Sequence, residues 1–99
     1  MSKATTNTEM VTVKPNQDIV ISMVKEFKEE LKKILDQEDA LLTLDLEGVK
    51  MIDSMGLGVL IATHNSLSKR NAKLELIHVA DDILKLLNNM RLDKHFSIK

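Results

Sequence analysis

Residues 42–67, LTLDLEGVKMIDSMGLGVLIATHNSL, decide the fold. Leu42 to Leu46 is a short apolar run carrying Asp45, and its continuity predicts a central strand covered on both sides. Glu47-Gly48 breaks it, and Met51-Ile52 is a second apolar pair. After Asp53-Ser54-Met55-Gly56-Leu57-Gly58, the residues Leu57, Leu60, Ile61, His64 and Leu67 fall on one face of a helix. The stretch therefore reads as strand, loop, helix, with Ser54 at the helix mouth. Ser is a natural N-cap, its oxygen accepting a free N–H of the first turn, so Ser54 is expected to bond Gly56 or Leu57. The same N–H groups and the helix dipole also favour a phosphate at this point. One hydroxyl thus has two possible jobs.

Working outward, Met10 to Lys14 alternates as a strand, and Pro15-Asn16-Gln17-Asp18 ends it, with Asn16 or Asp18 placed to cap the first helix. From Ile19 to about Gln37, apolar residues at 19, 23, 27, 31, 34 and 35 mark that helix as amphipathic. Its other face, Lys25, Lys28, Glu29, Lys32 and Lys33, reads as a solvated surface. Lys73 to Val79 alternates as a strand, Asp81 and Asp82 open a short helix bearing Ile83, Leu84, Leu86, Leu87 and Met90, and His95 to Ile98 alternates again. Residues 1–9 are small and polar, expected to be a mobile N-terminal segment before a single domain over 10–99. The order β-α-β-α-β-α-β predicts an α/β domain: a mainly parallel or mixed sheet of about four strands covered by about three helices.

Composition narrows the function classes. The chain has 99 residues, 43% apolar and 29% charged, with a net charge of −1 and no Trp or Tyr. Basic excess and stacking aromatics, the marks of nucleic-acid binders, are both missing. The absence of Cys excludes disulfides and thiolate chemistry. The polar start MSKATTNTEM is no signal peptide, and no apolar stretch approaches the roughly 18 residues of a membrane span, so a cytoplasmic protein without membrane contact is expected.

Catalytic motifs are incomplete. Gly56 and Gly58 lack the third glycine of a dinucleotide loop, because position 61 is Ile. A nucleophile elbow around Ser54 would need Gly at 52, which is Ile. His64, His78 and His95 are scattered without metal-ligand spacing. A small serine hydrolase using Ser54 is the weak alternative, and no cofactor or metal is expected. The two glycines point to a close approach of backbone or partner, since each costs helix stability of about 1 kcal/mol relative to Ala.

The run LDLEGVKMIDSMGLGVL is similar to the signature of the STAS domain of bacterial anti-sigma factor antagonists. Most of the chain keeps the family's order, down to Met90, Leu92 and Phe96 near the end. The resemblance implies a non-enzymatic partner-switching regulator acting in signal transduction and transcription control. Ser54 would be the phosphoacceptor of an anti-sigma factor that is also a HATPase-type serine kinase, and a PP2C-type phosphatase would restore the binding form. Asn16, Asp18, Asp53, Met55, Gly56, Leu57 and Gly58 would lie against the partner. Two departures stand out: the turn before the first helix keeps only Asp18 of the family pattern, and the usual two-strand start is shortened to one. An unphosphorylated scaffold or regulatory subunit of a larger assembly is the alternative within the same fold.

Overall fold

The computed structural model describes residues 9–37 and 40–99, so the expected mobile segment lies, apart from Glu9, outside the described residues. Four strands, β1 (Glu9–Val13), β2 (Ala40–Asp45), β3 (Glu75–Ile77) and β4 (Ser97–Ile98), alternate with helices α1 (Ile21–Leu35), α2 (Ser54–Ser68) and α3 (Asp81–Asn89). All strand pairs are parallel and the sheet order is β1-β2-β3-β4. Val13 pairs with Leu44, and Leu44 with Leu76. Sequential order with right-handed crossovers lays all three helices on one face of the sheet.

That topology corrects one expectation. β2 is not covered on both sides by the described residues. Leu42, Leu44 and Leu46 are buried at 1% or less, while Leu41 and Asp45, pointing the other way, are half-exposed. Thr43 shares their face but is roofed by its cross-strand neighbours, its hydroxyl meeting Met10 Sδ at 3.1 Å and Glu75 Oε1 at 2.9 Å.

The core lies between sheet and helices. α1 contributes Val24, Phe27 and Leu31, spaced by three and four residues, and α3 contributes Ile83 and Leu87. α2 is apolar over most of its girth and buries Leu57, Val59, Leu60 and Leu67, as befits the middle helix of the layer. α2 and α3 both stop on a residue in the left-handed region, Asn71 (φ 59°) and Arg91 (φ 59°). In each case the next amide turns back, Ala72 N–H to Leu67 O and Leu92 N–H to Leu87 O. Arg70 stitches the layer together. Its guanidinium donates to the carbonyls of Leu35, Gln37 and Ala40, satisfying the end of α1 and the start of β2.

His78 comes directly after β3 with φ 55°, which ends the strand before Val79 and turns the ring toward Asp45. The last expected strand shortens to two residues, with Phe96 spent on the core.

Candidate functional site

The carboxyl ends of β1 and β2 carry the two loops that the sequence singles out. Asp18 Oδ1 accepts from the amides of Lys50 (2.8 Å) and Met51 (3.1 Å), and Lys14 pairs with Glu47 at 2.8 Å. Gly48 adopts φ +83°, and a Cβ there would sit 3.0 Å from Asn16 Oδ1, so this turn needs a glycine. Ile19 and Ile52 form a parallel bridge, with Ile19 N–H donating to Met51 O and Asp53 N–H to Ile19 O. The stretch before α1 thus runs directly beside the stretch before α2, and both helices start at one place.

Asp53 sits at that junction. Its Oδ1 accepts from Gly56 N–H at 2.8 Å, capping α2, while Oδ2 accepts from Ile21 N–H at 2.9 Å and closes the first turn of α1. These N–H groups, Gly56 first and Ile21 next, hold the carboxyl below the usual carboxylate range, against an opposing effect of burial. The expected Ser54 cap is therefore corrected: the cap is Asp53, and Ser54 is the first helical residue. A carboxylate with two oxygens serves two helices, which a single hydroxyl does not. Neither Asn16 nor Asp18 caps α1, whose N-cap position is Val20 with no side-chain bond of its own.

Ser54 is exposed, and its hydroxyl makes no hydrogen bond to any described residue. Met55 follows it, and the backbones of Ile21 and Met51 join the same corner through Asp53 and Ile19; all three side chains are exposed apolar ones, at 51%, 66% and 56%. Behind Ser54, a cavity of about 230 Å³ between α1 and α2 is lined by Ser54, Met55 and Gly58 on one side and Val24, Lys25 and Lys28 on the other. Histidines lie elsewhere. His64 is ten residues along α2, about 15 Å at 1.5 Å per residue, stacked edge-on against Phe96 and His95. Burial, then the nearby charges of His95 and Lys73, lower its pKa. His78 bonds Asp45 at 2.9 Å.

The eight residues expected at the site divide in two. Asn16, Ser54, Met55 and Gly58 are exposed. Asp18 and Asp53 are half-buried and hold the loops, whereas Gly56 and Leu57 turn inward, Leu57 being 6% exposed. A Cβ on Gly56 would stand 2.1 Å from Ile19 O, so this glycine admits the chain's own backbone; nothing lies within 4 Å of the same point on Gly58. Met51, Ile21, Lys25 and Lys28 were not singled out by the sequence as part of this surface.

Comparisons place this geometry in a family. The STAS domain family model matches residues 2–99. The anti-sigma-B factor antagonist of Listeria monocytogenes is 33% identical over 72 residues, 73% of this chain and 63% of that relative's length. A putative anti-sigma factor antagonist from Thermotoga maritima superposes with a TM-score of 0.83 at 26% identity, over 90% of this chain and 77% of that one. The Bacillus cell fate determinant SpoIIAA in its phosphorylated form shares the fold alone, with a TM-score of 0.73 at 13% identity over 97% of this chain and 87% of its own. With the family model spanning residues 2–99 and solved structures of the family sharing the fold, the chain belongs to the STAS domain family.

Proposed function

We propose that this protein is a partner-switching regulator, not an enzyme, whose binding to an anti-sigma factor of the HATPase-kinase type is turned off by phosphorylation of Ser54 and restored by a PP2C-type phosphatase. The observation that carries the reading is the division of labour at Asp53-Ser54. Asp53 takes both capping duties, leaving the exposed Ser54 hydroxyl without a hydrogen bond among the described residues, at a corner that also carries the exposed Met51, Met55 and Ile21. Such a corner suits a protein partner. A phosphate adds about −1.5 to −2 charges there, and desolvating that charge in an interface costs far more than desolvating a hydroxyl. The fold need not move for the switch to work. A hydrolase reading lacks support, since no described histidine reaches Ser54.

Calorimetric titration of the kinase with wild type, Ser54→Asp and Ser54→Ala, together with labelled-ATP transfer, tests this. Ser54→Asp should bind at least about a hundredfold more weakly, roughly 2.7 kcal/mol. Ser54→Ala should bind like wild type and take up no label. Equal affinity of Ser54→Asp and wild type, or label on Ser54→Ala, overturns the assignment.

A further inference from the structure

The cavity behind Ser54 does not end there. It shares Lys28, Val59 and Ala62 with a larger one of about 620 Å³, so one trough runs along the seam between α1 and α2 from Ser54 to Arg70. Its lining is largely apolar between the charges: Val24, Leu31 and Leu35 from α1, Val59 and Ala62 from α2, with Thr63 and Ser66 beside them. Its rim is cationic. Lys25, Lys28 and Lys32 line it from α1 and Lys69 from the C-cap of α2, and none of them makes an ion pair among the described residues. The three glutamates of α1, Glu26, Glu29 and Glu30, stay outside, and among the described residues Asp36 at the far end is the one carboxylate in the lining. Lysines three and four residues apart repel one another, and this arrangement, which the sequence reads as a merely solvated face, has no ion-pair partner among the described residues.

We infer that the trough is the docking site of an acidic amphipathic helix from a partner protein. The inference goes beyond the switch reading and holds whether or not Ser54 is ever modified. Charge complementarity selects Asp and Glu on the flanks of the occupant, and the apolar lining selects residues at i, i+3/i+4 and i+7. Length agrees: α1 and α2 each have 15 residues, about 22 Å at 1.5 Å per residue. The trough is a partly open groove, not an enclosed cavity. A small molecule bound with most of its surface buried needs a more enclosed cavity, whereas a third helix needs only a seam.

The test uses the full chain with benzoylphenylalanine at the exposed Ala62, cross-linked in its native cells, and a second variant carrying it at Thr12 on the opposite face of the sheet. Sequencing the Ala62 adduct should return an acidic segment with apolar residues at three- and four-residue spacing, absent from the Thr12 adduct. A synthetic peptide of that segment should shift amide resonances along α1 and α2. Its affinity should fall at least tenfold for Lys28→Glu/Lys32→Glu, exposed changes that leave the fold intact by amide spectrum, and should weaken with added salt. A basic or neutral segment, a second copy of this chain, a lipid, equal adducts at both positions or no adduct at Ala62 each overturns the inference.

Discussion

The two glycines of α2 do opposite things, and replacing each by alanine separates them. At Gly56 the new Cβ would stand 2.1 Å from Ile19 O, where at least 3.0 Å is needed, so helix and loop must part by about 0.9 Å. The obstacle is backbone and no rotamer relieves it. Ile19 is itself pinned, through its N–H to Met51 O and through its O to Asp53 N–H. Overpacking of this kind costs about 1–3 kcal/mol, and each weakened hydrogen bond adds about 1 kcal/mol. The helix-propensity gain of about 1 kcal/mol opposes them. The net for Gly56→Ala is a loss of roughly 2–4 kcal/mol, which lowers Tm by about 10–25 °C in a domain of this size. Gly58→Ala meets nothing within 4 Å and keeps the whole propensity gain, raising Tm by about 3–6 °C. Thermal and urea unfolding of both variants beside wild type decide the matter. A Gly56→Ala protein as stable as Gly58→Ala would refute the view that Gly56 exists for the close approach of Ile19.

Ser54→Ala should change stability by less than about 0.5 kcal/mol in urea unfolding, because the hydroxyl caps nothing. Ser54→Asp should move Tm by only a few degrees, since the helix dipole favours the charge while neighbouring Asp53 repels it. Arg70→Met leaves the carbonyls of Leu35, Gln37 and Ala40 without their donor and should cost about 2–3 kcal/mol, read in the same assay. The Asp53 carboxyl is held below its unfolded range by Gly56 and Ile21. Its contribution is therefore complete above the unfolded pKa, about 3.9, and is lost as pH falls through the lower folded value. Urea midpoints of wild type and Asp53→Asn should converge on acidification below about pH 4 and separate above it; a constant gap would contradict the capping role.

Much of the fold was legible because the signals were local. The Leu42–Leu46 run and the alternation of Leu74 and Leu76 marked two strands, and the three- and four-residue spacing of Phe27, Leu31 and Ile34 marked α1. The coverage of β2 was misread because an apolar run looks the same whether its second face is packed or merely roofed by Met10 and Glu75. At the site, Asp-Ser-x-Gly-Leu-Gly pointed to the right turn but to the wrong cap. Choosing Asp53 over Ser54 depends on Ile21, 32 residues away in sequence, a contact that no local pattern encodes. The inward turn of Gly56 depends likewise on Ile19. The cationic trough was invisible for a related reason: Lys25, Lys28 and Lys32 come to flank a groove only once α2 lies alongside.

The double cap on Asp53 also bears on how this domain breathes. Helix ends usually fray independently, each exposing its first amides on its own schedule. Here the Ile21 and Gly56 amides share one acceptor side chain, so rotation of a single carboxylate opens both. Hydrogen–deuterium exchange should find these two amides protected to a similar degree and losing protection together in Asp53→Ala. Anything that engages the first turn of α2 would then meet a corner whose two helices loosen as one unit.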